Sequence, residues 1–129
     1  MDMLLKARFD EVVGADDETR DRERKGSEGA LVCVHCRNLV TSRASAISMG
    51  GSHAHTFANP HGLEFRIGCF ADAPGCREEG EESAHWTWFP GFTWRVSLCR
   101  HCGDHLGWLF RSPDARFFGL ILDHLTQAD

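Results

Sequence analysis

Two Cys-x-x-Cys pairs, Cys33-Val34-His35-Cys36 and Cys99-Arg100-His101-Cys102, constrain what this chain can fold into more than any other feature. A C-x-x-C turn places two thiolates on one side of a tight knuckle, and two such knuckles complete the four-sulfur shell of a tetrahedral zinc ion. Closing the roughly 62 residues between the inner cysteines costs about 3–4 kcal/mol. A structural zinc site returns about 10–16 kcal/mol of apparent binding free energy, so the metal prevails over the loop. One zinc ion on Cys33, Cys36, Cys99 and Cys102 is therefore expected, with a role in folding, because four thiolates leave no open position for a catalytic water. Two disulfides would suit a secreted protein. The start of the chain, Met1 to Phe9, is too short and too interrupted by charge to read as a secretory signal, so a reducing, cytoplasmic setting is expected.

Composition explains why a staple is needed. The chain has 129 residues, room for one domain, and its Leu, Ile, Val and Phe together make up only about 22% of it. No apolar run approaches the ~20 residues of a membrane span, and the net charge of −5 argues against a nucleic-acid partner. Residues 1–28 hold nine acidic and six basic side chains, with Asp16 to Lys25 almost wholly charged. Such a run cannot bury enough apolar surface to offset the entropy of ordering it, and reads as a solvated, flexible or partly helical arm. The folded domain is expected over 29–129.

That domain should be mainly β. Leu63, Phe65, Ile67 and Cys69 alternate with Glu64, Arg66 and Gly68, and Trp94, Val96 and Leu98 alternate with Arg95 and Ser97, the period-2 pattern of half-buried strands. Ala30–Val34 leads into the first knuckle, and Leu106–Phe110 and Phe117–Leu122 bracket the turn-like Ser112-Pro113-Asp114. Ser42–Ser52 and Ala71–Ser83 read as loops. Cys69 and Cys76 match no metal or redox spacing; they read as one packed strand cysteine and one loop thiol. Nor does any spacing among His53, His55, His61 and His105 mark a second metal site.

The second signal is aromatic. All four tryptophans, Trp86, Trp88, Trp94 and Trp108, fall within 23 residues around a Pro90-Gly91 turn. Either they fill a core beneath a hairpin, or flat rings wall a pocket for a flat or cationic ligand; composition leaves both open. The run Asn59-Pro60-His61-Gly62, then Trp88-Phe89-Pro90-Gly91-Phe92-Thr93-Trp94, then Cys99-x-x-Cys102-x-x-His105-Leu106-Gly107-Trp108-x-Phe110, then Phe118-Gly119-Leu120-Ile121 resembles the CULT domain, the thalidomide-binding domain of cereblon-type proteins, which also occurs as stand-alone bacterial proteins. The resemblance runs from about Ala30 to Leu125, in the family's order and spacing, and leaves out the arm.

The resemblance implies two antiparallel sheets set roughly at a right angle (a β-tent) and pinned by the four-cysteine zinc. It makes Trp88, Trp94 and Trp108 the walls of an aromatic cage, with Phe110 and the Asn59-Pro60 segment at its base and rim, and has the segment around Trp86 offer backbone groups. The implied ligands are uncharged cyclic imides: glutarimide and succinimide rings, thalidomide-type drugs, C-terminal cyclic imides on proteins, and uridine-like rings with the same imide edge. It implies a reader rather than an enzyme, and in this chain no ubiquitin-ligase docking domain is recognised. Two other readings compete. The Cys99-x-x-Cys102-x-x-His105-Leu106-Gly107 segment also resembles methionine-R-sulfoxide reductases, but no cysteine follows Cys102 to act as nucleophile, and Cys69 would have to replace it. A cage for a quaternary ammonium group would want a carboxylate, for which the Glu78–Glu82 run is the candidate.

Overall fold

A computed structural model describes residues 29–128. The reading of 1–28 as a solvated arm lies outside the described residues. The described chain is built of nine strands: β1 (Ala30–Cys33), β2 (Leu39–Ser42), β3 (Ala54–Ala58), β4 (Glu64–Phe70), β5 (Cys76–Ser83), β6 (Thr93–Cys99), β7 (His105–Arg111), β8 (Arg116–Ile121) and β9 (Leu125–Gln127). They form two wholly antiparallel sheets, a small one in the order β2-β1-β9 and a large one in the order β3-β4-β8-β7-β6-β5.

The large sheet carries apolar side chains on both faces, as the FFGLI run of β8 requires. Phe118 and Leu120 point to the side covered by the small sheet, where they join Val40, Phe70, Leu106 and the buried cysteines 33, 76 and 99. Phe117 and Ile121 point the other way, into a second cluster with Ile67, Cys69, Trp108 and Phe110. Over that cluster folds the loop that links β5 to β6, bringing Trp88, Phe89 and Phe92. Gly75 marks where the two sheets meet: its N–H donates to Val40 O at 3.0 Å and its carbonyl accepts from Arg100 N at 2.8 Å.

The alternating segments around Phe65 and Val96 are strands, as their period demands, and so are the two segments that bracket Ser112-Pro113-Asp114. Ala71–Ser83 is not the loop expected: its second half, Cys76–Ser83, is the edge strand β5. Four glutamates mask a strand pattern, yet an edge pairs on one side only and tolerates outward charge, which also blocks unwanted pairing. Cys76, expected as a loop thiol, is instead a strand residue only 3% exposed, registered opposite Cys99. Strands β2 and β3 were not legible as such, and Leu63, expected within a half-buried strand, precedes β4 and is 61% exposed. Leu122 leaves β8 for a one-turn 3₁₀ helix, Leu122–His124.

Candidate functional site

The two cysteine knuckles are built alike. In the first, Cys33 N donates to Asn38 O and Arg37 N to Cys33 O; in the second, Cys99 N donates to Asp104 O and Gly103 N to Cys99 O. The fifth residue of each knuckle, Arg37 at φ 69° or Gly103 at φ 81°, takes the left-handed conformation that closes the turn. One knuckle joins β1 to β2 in the small sheet, the other β6 to β7 in the large sheet. They face each other so that the four sulfurs lie within 4.8 Å of one another.

The opposing sulfurs stand at 3.7 Å (Cys33 to Cys102) and 3.5 Å (Cys36 to Cys99). A tetrahedral ion with metal–sulfur bonds of about 2.3 Å sets its ligands about 3.8 Å apart, so the sulfur cage fits such an ion, and all four cysteines are unbridged. Burial works against a thiolate at Cys99, but the backbone N–H groups of Cys102 and His101 and the neighbouring thiols donate to it and bring its pKa down to about 7. Asn38 Nδ2 adds a longer contact to the same sulfur, 3.8 Å. Among the described residues this is the one cluster of three or more His, Cys, Asp or Glu side chains able to hold a metal.

The aromatic site lies on the other face of the large sheet. Trp94 registers opposite Phe110 and Val96 opposite Trp108, so strands β6 and β7 set Trp94 and Trp108 diagonally on one surface. Trp88 comes from the overlying loop and meets Trp108 edge to face, with ring centres 4.8 Å apart and planes at 74°. Two walls thus stand at a steep angle. Trp94 stands apart, fixed by its indole N–H donating to His85 O at 2.8 Å. Trp88 is fixed from behind by Phe57, stacked at 5.0 Å and 13°, and by its own N–H on Ala58 O at 3.0 Å. His105 packs its edge on Trp108 at 4.8 Å while its Nε2 sits 3.0 Å from Gly107 O. A carbonyl only accepts, so Nε2 carries the proton.

Ala58 O also receives the more distant Trp86 N–H, 3.4 Å, and so ties the tryptophan loop to the turn that follows β3. In that turn Asn59 Oδ1 accepts from His61 N at 2.9 Å and Leu63 N at 3.0 Å. The turn therefore occupies the acceptor end of the Asn59 amide, and neither of these bonds uses Nδ2, next in the chain to the Ala58 carbonyl that takes the Trp86 and Trp88 N–H groups. Pro60 is exposed at the tip of the same turn. Trp86 is 54% exposed and adopts φ 57°, a conformation rarely taken by a bulky residue. Phe110, expected at the base, is 1% exposed beneath Phe89 at 4.9 Å and against Phe117 at 5.2 Å. It supports the floor from below. Phe57 and the Ala58 carbonyl were missed in the sequence; the one signal was their place directly before Asn59-Pro60, since Ala54-His-Thr-Phe-Ala is too short to declare a strand.

The remaining candidates separate clearly. Cys69 is fully buried and burial pushes its thiol up to about 12; Cys76, buried and beside Glu78, is also pushed up to about 12. Neither is a thiolate near neutral pH. Glu78 and Glu82 point away from the tryptophans, toward Ser97 Oγ (3.4 Å) and Arg111 (2.5 Å) respectively, while Glu79 is engaged by Arg77 at 2.7 Å. No helix among the described residues is long and apolar enough to cross a membrane.

No family model matches the chain. Curated proteins do. It is 32% identical over 113 residues to protein cereblon of Gallus gallus, covering 78% of this chain and 25% of that protein. It is 34% identical over 100 residues to protein cereblon of Xenopus tropicalis (70% of this chain, 22% of that protein), and 43% identical over 106 residues to protein cereblon of Drosophila simulans (72% and 17%). The chain thus spans a quarter or less of the length of these relatives. Two antiparallel sheets, a four-cysteine cluster between them and this shared sequence agree: the chain carries a cereblon-like domain, of the CULT family.

Proposed function

We propose that this domain is a binding module for uncharged cyclic imides, with Trp88, Trp94 and Trp108 as walls and the Asn59-Pro60 turn and the Trp86 segment as rim. The single observation that carries the reading is the division of labour at the rim. The N–H groups of Trp88 and Trp94 are already bonded to backbone carbonyls, so these rings offer flat apolar faces. Asn59, whose oxygen is taken by its own turn, offers a donor. An imide edge reads acceptor, donor, acceptor; one of its carbonyls matches Asn59 Nδ2, and the saturated remainder of the ring matches the indoles. Desolvating such a neutral ring costs far less than desolvating an ion.

The direction of the glutamates favours this over a quaternary ammonium cage, since Glu78 and Glu82 face the opposite side of the sheet and Glu79 is paired. The burial of Cys69 and Cys76 favours binding over sulfoxide reduction, which needs an accessible thiolate. The metal is read as a single structural zinc ion, because four thiolates close the shell and suit a soft, borderline cation. Unbridged cysteines of this kind fit a reducing, cytoplasmic setting. Ligands of this class include free glutarimide, succinimide, thalidomide-type drugs, uridine-like rings and C-terminal cyclic imides on proteins.

Titrating glutarimide, a trimethylammonium compound and a methionine sulfoxide peptide while following tryptophan fluorescence and reductase turnover tests the reading. Saturable quenching by glutarimide alone supports it. Replacing Trp88, Trp94 or Trp108 by Ala abolishes that quenching, whereas Trp86→Ala, at the exposed rim, weakens it less. Normal glutarimide binding by all three wall variants overturns the assignment.

A further inference from the structure

The face of the large sheet away from the tryptophans carries a recess of about 240 Å³, lined by Glu82, Thr93, Arg95, Leu109, Arg111 and Arg116. We propose that this recess binds a small phosphate-type oxyanion. The register places it: Thr93 pairs with Arg111, Arg95 with Leu109, and Arg111 with Arg116, so β6, β7 and β8 send side chains to one side, where Glu82 of β5 joins them. Arg111 and Arg116 are direct cross-strand partners, an arrangement of like charges that destabilises a ladder unless something offsets it.

Only part of that charge is offset within the chain. Glu82 takes Arg111 in a two-pronged contact, 2.5 Å from Nη2 to Oε1 and 3.3 Å from Nε to Oε2, and also accepts from the Thr93 hydroxyl. Arg95 spends Nε on Gly80 O at 2.9 Å, and has no carboxylate within ion-pair distance among the described residues. Arg116 lies over the Phe118 ring at 5.6 Å, with Asp72 at 3.9 Å as its nearest acid. Arg111 is thus met by the already committed Glu82 and Arg116 by the more distant Asp72, while the third guanidinium, Arg95, has only a backbone carbonyl, in a protein whose overall charge is −5. Guanidinium forks match the oxygens of phosphate in two-pronged geometry. The volume falls below that of drug-sized organic pockets, which suits an inorganic or esterified phosphate group with its stem against Leu109.

The recess is independent of the imide site, because alternate residues of the same strands serve the two: Arg95 beside Trp94, and Leu109 beside Trp108. The test is an amide-resolved NMR titration of the zinc-loaded full chain with inorganic phosphate and pyrophosphate, against acetate and chloride at matched ionic strength. Saturable shifts on Arg95, Leu109, Arg111 and Arg116 with the phosphates are expected. The double variant Arg95→Gln/Arg116→Gln should bind pyrophosphate about tenfold or more weakly while keeping its melting temperature. The single variant Arg95→Gln, which leaves the cross-strand arginine pair in place, gives the same comparison should the double variant fold poorly. Shifts that never saturate, shifts centred elsewhere, equal response to acetate, or unchanged affinity in the variants would overturn the assignment.

Discussion

Asn59 holds its turn through one end of its amide: Oδ1 accepts from His61 N and Leu63 N, and under the proposed reading Nδ2 meets an imide carbonyl. Asn59→Asp keeps the acceptor and removes the donor. Imide affinity by calorimetry should therefore fall about tenfold, the worth of a lost hydrogen bond within a buried contact, while thermal stability changes little; unchanged affinity would remove Asn59 from the site. His105 supports Trp108 in the same economical way. Burial holds its pKa below the usual histidine range, partly countered by its bond to Gly107 O. Because the folded value lies below the unfolded one, its stabilising contribution is complete above the unfolded pKa of about 6.5 and declines as pH falls below that, through the folded value. Ring-proton NMR should show His105 still largely neutral at a pH where exposed histidines are already half charged, and His105→Gln should flatten the acid side of the stability profile in that range.

Elements are joined at two glycines that no larger residue can replace. A Cβ at Gly75 would stand 2.0 Å from Leu39 O, at the seam of the two sheets, and one at Gly107 would stand 2.1 Å from Gly119 O, between β7 and β8. Both obstacles are backbone, which cannot swing aside as a side chain can. Gly75→Ala and Gly107→Ala should each cost on the order of 1–3 kcal/mol or more, read as a lowered urea midpoint, and Gly107→Ala should also weaken imide binding because Trp108 is its neighbour. At this scale the sequence spoke unevenly. Period-2 runs around Phe65 and Val96 declared their strands, and the apolar runs Leu106–Phe110 and Phe117–Leu122 declared theirs by flanking a turn, β8 being buried on both faces. The Glu-rich β5 stayed hidden because an edge strand exposes most of its side chains, and the short β2 and β3 because four or five residues hold too little alternation to stand out from loop. The cysteine knuckles were legible in full, since their chemistry fixes the spacing. The meeting of Trp88 with Trp108 was foreshadowed by their aromatic run but their props were not, because Phe57 and the Ala58 carbonyl reach Trp88 only through tertiary contact.

At the scale of the whole molecule, the four-cysteine cluster and the aromatic site occupy opposite faces of one six-stranded sheet, and strands β6 and β7 contribute to both. On the proposed reading of that cluster as a zinc site, the thin core depends on the ion: a strong chelator, or Cys99→Ser, should lower the melting temperature sharply and abolish imide binding together with it, whereas zinc added back to the chelated wild type restores both. Retained folding and binding without metal would separate the two sites. A cyclic imide seated among Trp88, Trp94 and Trp108, as proposed, is tested most directly by a nuclear Overhauser spectrum of the protein saturated with glutarimide. Cross-peaks from the glutarimide ring methylenes to the indole protons of all three residues are predicted. A spectrum with those methylenes against other side chains, or with no intermolecular cross-peaks at saturation, would contradict it.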